Sequence, residues 1–96
     1  MIRQPRFKFR LYVAGTTQNS TRASANLTAF CTAHLPERYE IEIVDVLRNP
    51  KRAMADSVFM TPTLIKLAPL PDRRMIGTLS HTQVLLETLG LENGKA

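Results

Sequence analysis

Phe7-Lys8-Phe9-Arg10-Leu11-Tyr12-Val13-Ala14-Gly15-Thr16-Thr17-Gln18-Asn19-Ser20 is the stretch on which the fold turns. Phe7, Phe9, Leu11 and Val13 alternate with Lys8, Arg10 and Tyr12, the period of two that sends successive side chains to opposite faces of a sheet. The alternation stops at Ala14-Gly15. The polar run behind it supplies a loop and a helix cap from Asn19 or Ser20. A strand that passes through one tight loop into a helix is the opening of a βαβ unit.

Further along, Ala23, Leu27, Phe30, Cys31 and His34 fall on one stripe of a helix that Pro36 ends, with Arg22, Ser24, Asn26 and Thr28 on the other faces. Tyr39, Ile41 and Ile43 then alternate with Glu40 and Glu42 before the pattern thickens at Val44-Asp45-Val46. This predicts a second strand, more deeply buried at its C-terminal end and parallel to the first. Asn49-Pro50 predicts a short helix to about Ser57, Asn capping and Pro in the first position. Thr61-Pro62-Thr63 opens a third strand from Leu64 to Leu67, its proline placed where no ladder donor is required. Ala68 to Asp72 is a loop by its two prolines, and Arg73 to Gly77 returns as an antiparallel strand. Ser80 and Gln83 form a capping box, with Leu79 stapled onto Val84. The last helix runs through Leu85, Leu86 and Leu89 to a stop at Gly90, leaving a frayed tail from Glu92 to Ala96.

The predicted order is β-α-β-α-β-β-α in one α/β domain over residues 1–96, with its core from about 7 to 91. A parallel βαβ half followed by a ββα half is the thioredoxin-like arrangement.

Composition narrows the function. The 96 residues leave room for a single modest core. No run of about 20 apolar residues could span a membrane, and the basic start is unlike a secretory leader, so a cytoplasmic location is expected. One cysteine, Cys31, permits no internal disulfide, CxxC pair or cysteine-rich zinc site; no cofactor or metal is expected. The formal charge of +5 favours acidic partners. Arg3, Arg6, Lys8 and Arg10 gather at the N-terminus, and Arg48, Lys51, Arg52, Lys66, Arg73 and Arg74 form a second group. A nucleic-acid-binding basic module is one alternative, weakened because most of the Phe and Tyr residues occupy core-like positions.

Catalysis finds little support. A thioredoxin-type oxidoreductase needs a nucleophilic cysteine at the first strand-to-helix junction, where the helix N-terminus lowers the thiol pKa. Gly15-Thr16-Thr17-Gln18-Asn19-Ser20 contains none. Cys31 reads as a small core residue, His34 as a partly buried residue at a helix end, His81 as an exposed one, and Asp45 as a partner for a neighbouring loop. Asp56 is the other acid expected near the core. An oxidoreductase without CxxC is the remaining enzymatic alternative.

Leu11-Tyr12-Val13-Ala14-Gly15, Asn19-Ser20-Thr21-Arg22-Ala23, Val44-Asp45-Val46-Leu47-Arg48-Asn49-Pro50, Thr61-Pro62-Thr63-Leu64 and Arg73-Arg74-Met75-Ile76-Gly77 together resemble the KaiB family. The resemblance runs from about Lys8 to Leu91. It implies a non-enzymatic protein that binds the N-terminal ATPase ring of KaiC, a hexameric ATPase and autokinase, in a circadian or stress-signalling role. A KaiA-like protein and a sensor histidine kinase are further implied partners. It also implies two folds: a monomeric thioredoxin-like state that binds KaiC, and a rearranged βαββααβ state that forms tetramers. Val84 to Leu89, free of Gly and Pro, favours the helical ending of the first.

Arg22, Lys66, Arg73 and Arg74 match basic positions of the family, and the helix opened by Asn49 and Pro50 matches its KaiC-docking segment. Lys51 and Arg52 replace a polar and an apolar residue there, Met54 and Ala55 replace acids, and Glu42 and Ser57 replace basic residues. Asp56 alone remains of the acidic cluster. Pro62 is the candidate for a cis peptide bond.

Overall fold

The computed structural model describes residues 5–91; Arg3 of the N-terminal basic group and the tail from Glu92 to Ala96 lie outside the described residues. The alternating stretch forms β1 (Phe7–Val13), and the elements that follow are α1 (Gln18–His34), β2 (Tyr39–Asp45), α2 (Pro50–Ala55), β3 (Thr63–Ala68), β4 (Arg73–Ile76) and α3 (Thr82–Thr88). Their sheet order is β2-β1-β3-β4. β1 runs parallel to β2, with Phe7 opposite Tyr39 and Val13 opposite Asp45. It runs antiparallel to β3, with Tyr12 opposite Thr63, and β4 closes the other edge antiparallel to β3. This is the thioredoxin-like order.

β1 is central because its residues can be buried on both faces, and Leu11 and Tyr12 are completely buried. Phe7, Phe9, Leu11 and Val13 face α1 and α3, packing with Ala23, Leu27, Phe30, Cys31, Leu64, Leu85 and Leu86 into the main core. Tyr12 faces the opposite way. There it joins Val44, Ile65 and Ala53 of α2 in a smaller cluster. A six-residue helix covers only part of its sheet face, so the rest is a solvated ladder in which Lys8 stands opposite Glu40 and Arg10 opposite Glu42.

The helix starts differ from expectation, and tertiary contacts explain each difference. α1 begins at Gln18 behind Thr17 with no side-chain cap. Asn19 is exposed, and the Ser20 hydroxyl, buried against the end of β1, accepts the Ala14 N–H at 3.0 Å. α2 ends at Ala55, because Ser57 takes φ +56° and the Val58 N–H returns to the Ala53 carbonyl. Asn49 does not cap; its amide donates to the Asp45 carbonyl. At α3 the flanking residue is His81, the Ser80 hydroxyl pairs with that of Thr78, and Val84 is 46% exposed, so neither capping box nor staple forms. Leu79 instead enters the main core at φ +61°.

β2 is an edge strand, buried near its end at Val44 as expected but open at Ile43, which is 48% exposed. A groove of about 630 Å³ separates α1 from this edge and leaves Ile43 uncovered. Thr61-Pro62 is cis, as are Ala68-Pro69 and Leu70-Pro71. The segment after β2 reads helix, strand, strand, helix, the first of the two arrangements that the family resemblance implies.

Candidate docking site

The β1–α1 junction is where this architecture carries redox chemistry, and here it holds backbone and hydroxyls. Gly15 takes φ +56° and donates its N–H to Asp45 Oδ1 at 3.1 Å; the Leu47 N–H shares the same oxygen at 2.9 Å. Asp45 is thereby tied to loop backbone. Cys31 is fully buried in α1, and burial pushes its thiol up to about 12, leaving almost no thiolate at neutral pH. Among the described residues no group of three His, Cys, Asp or Glu could hold a metal ion, and no helix is long and apolar enough to cross a membrane. The groove beside α1 is lined by small hydroxyl-bearing and apolar residues without a titratable group.

The nominated cations and acid separate into two surfaces. Asn49, Pro50, Lys51, Arg52 and Asp56 lie on or beside α2, with Arg74 joining them from β4. Arg74 donates to the carbonyls of Asp56 and Ser57. Arg22, Lys66 and Arg73 do not share that surface. Lys66 stands opposite Phe9 and Arg73 in the ladders, on the α1 and α3 side. Its grouping with surface cations is corrected: the residue is only 5% exposed, and its ammonium lies 5.8 Å from the Phe7 ring centroid. Burial, with Arg73 nearby, holds its pKa below the usual lysine value.

What fixes α2 is a polar network the sequence reading left out. The Tyr12 hydroxyl donates to Asp56 Oδ2 at 2.5 Å, with the Arg52 carbonyl at 3.1 Å as the alternative acceptor. Arg10 reaches the same Asp56 oxygen at 3.0 Å and Glu42 at 2.8 Å, and Arg52 completes the chain to Glu42 at 2.8 Å. Hydrogen bonds therefore lower both acids: Asp56 chiefly through Tyr12, Glu42 chiefly through Arg10. Tyr12 is raised by burial and by its bond to Asp56. A signal for Arg10 and Glu42 was present in the strands, since parallel pairing of the two alternating runs puts opposite charges side by side.

Lys51 and Arg48 are exposed and form no ion pair among the described residues. The α2 side is thus a braced helix with outward positive charge. Among the described residues it aligns no nucleophile with a base.

A mixed four-stranded sheet with helices on both faces and no thiol at the β1–α1 corner defines a thioredoxin-like domain without the redox pair. Solved structures agree on the fold. The N-terminal domain of SasA from Synechococcus elongatus superposes with a TM-score of 0.73 at 17% identity, covering 98% of this chain and 92% of that one. Chloroplastic thioredoxin z gives 0.74 at 18% identity, covering 95% and 82%. Sequence relatives go further than fold. The chain is 42% identical over 87 residues to the circadian clock protein KaiB3 of a Synechocystis species, covering 91% of this chain and 83% of the relative. It is 43% identical over 86 residues to the circadian clock oscillator protein KaiB of a Synechococcus species, covering 90% and 84%. The KaiB domain family matches residues 10–91. The chain belongs to the KaiB family.

Proposed function

We propose that this chain is a non-enzymatic regulator of the circadian-clock type, docking through the α2 side on the N-terminal ATPase ring of a KaiC-type hexameric ATPase and autokinase and altering its phosphorylation and output. The observation that carries this reading is the Tyr12–Asp56–Arg10–Glu42–Arg52 network. It holds a six-residue helix in a fixed pose with Lys51 and Arg48 pointing to solvent. Preorganised charge of one sign selects a partner of the other sign and disfavours the wrong one. The fold likeness to the SasA N-terminal domain supports competition between the two kinds of domain for one site. A KaiA-like protein and a sensor histidine kinase are the further partners on this reading, and the thioredoxin-like state acts as a monomer.

The test is co-migration of the purified chain with a KaiC hexamer in size-exclusion chromatography. Lys51→Glu is expected to weaken the complex by about tenfold or more, while Cys31→Ser leaves it intact. Failure to engage every KaiC-type hexamer offered, or thiol-disulfide exchange by the purified chain, overturns the reading.

A further inference from the structure

Leu47, Phe59 and Met60 are among the most exposed large apolar side chains, at 72%, 88% and 60%. Phe59 and Met60 line a recess of about 170 Å³ with Val46, Val58 and Thr61, between the β2–α2 turn and the α2–β3 loop. Leu47 adjoins Val46 and reaches over Gly15 from the same turn, its Cδ1 lying 3.5 Å from where a Cβ on that glycine would stand. The β2–α2 turn and the α2–β3 loop therefore meet at this recess, where Phe59 and Met60 stay exposed while Val46 and Val58 pack against the smaller core, and Leu47 is exposed one residue further along the turn. Exposure of this kind, grouped rather than scattered, marks a binding surface.

The charge around the recess indicates its occupant. Asp45, the acid of the β2–α2 turn, is engaged by the N–H groups of Gly15 and Leu47. Asp56 is engaged by Tyr12 and Arg10. Arg48 and Lys51, one and four residues after Leu47, are exposed and in no ion pair among the described residues. The exposed charges free of ion pairs on the β2–α2 turn and the start of α2 are thus positive among the described residues.

We propose that Phe59 and Met60, with Leu47 on the rim, form an apolar seat at this end of the sheet, and that its occupant is a partner-protein segment carrying a large apolar side chain flanked by carboxylates. This deepens the docking reading and rests on it only for the identity of the partner. Buried aromatic anchors carry most of the energy in interfaces of this kind, while a charged rim sets orientation and rate.

The experiment titrates the isotopically labelled full chain with the synthetic peptide Glu-Asp-Leu-Phe-Glu-Asp and follows backbone amides by NMR. Its counterparts are Lys-Lys-Leu-Phe-Lys-Lys and Glu-Asp-Ser-Ser-Glu-Asp. Saturable shifts confined to residues 46–48 and 58–61 are expected with the first peptide alone, weakened about tenfold or more by Phe59→Ser. Phe59→Ser is expected to leave the melting temperature unchanged, since that side chain is 88% exposed. Met60→Ser provides a second reading of the same seat. Absence of saturation, equal shifts from the basic or the serine peptide, or indifference to both substitutions overturns the seat. The two readings separate in one comparison. A KaiC hexamer that never co-migrates while the peptide still binds removes the partner and keeps the seat; a hexamer that binds Phe59→Ser and Met60→Ser as well as the parent chain removes the seat and keeps the partner.

Discussion

The hydroxyl of Tyr12, in β1, donates to the carboxylate of Asp56 beyond the end of α2 at 2.5 Å, joining the two halves of the chain through the smaller core. Tyr12 is fully buried, so Tyr12→Phe keeps the ring in place and removes only the donor. The carboxylate loses its shortest bond. A hydrogen bond to a charged acceptor contributes roughly 2 kcal/mol, and a loss of about that size is expected in urea denaturation. Loss below 0.5 kcal/mol would show that Arg10 alone suffices to hold Asp56.

Acid should find the same network. Asp56 and Glu42 titrate below the ordinary carboxylate range when folded, and near about 4 when unfolded. The unfolded chain therefore takes up protons first as pH falls. Stability from these groups is complete above the unfolded value and is lost as pH drops through the folded values. The urea midpoint is expected to hold between about pH 8 and about pH 5 and to fall below about pH 4. Asp56→Asn should start lower and fall less steeply.

Cys31 offers a clean negative. Its thiol is buried and pushed up to about 12, so Ellman's reagent should react on the timescale of unfolding and not before. Rapid labelling of the native chain at pH 8 would contradict the packing of α1. It would also revive the oxidoreductase alternative.

Gly77 takes φ +123°, a backbone conformation that L side chains rarely adopt, and nothing lies within 4 Å of a Cβ placed there. Any cost of Gly77→Ala thus comes from the backbone. Destabilisation of roughly 1–2 kcal/mol is expected in thermal or urea unfolding, and an unchanged midpoint would argue for a different turn after β4.

Lys66→Met separates stability from docking. The substitution keeps an unbranched stem against Phe7 and removes an ammonium held in a desolvated place. Stability should stay within about 1 kcal/mol, and co-migration with a KaiC hexamer should be unaffected. A docking loss with Lys66→Met equal to that of Lys51→Glu would return Lys66 to the interface.

Much of the scaffold could be read before any coordinates. The alternation of Phe7 to Val13, the α1 stripe ending at Pro36, the place of Pro62 before β3 and the stop at Gly90 all follow from local rules of backbone and periodicity. The caps could not be read in the same way. Ser20, Asn49 and Ser80 each had a suitable side chain, and each spends it on a tertiary or neighbouring partner that a local rule does not see. Lys66 alternates correctly in β3, yet α1 and α3 make its face an interior one. The brace around Asp56 joins residues 40 or more positions apart; only the register of β1 with β2 hinted at part of it. Phe59 and Met60 carry no sequence signal of their own, and nothing short of the fold reveals that they face outward.

The central position of β1 has a consequence for synthesis. This strand pairs on one side with β2, which follows soon after, and on the other with β3, which leaves the ribosome much later. Throughout that interval the nascent chain carries its most apolar strand with one flank bare, a template for mispairing with a neighbouring polypeptide. Truncations ending before Thr63 are thus expected to be insoluble, and addition of residues 63–68 is the step that covers this bare flank.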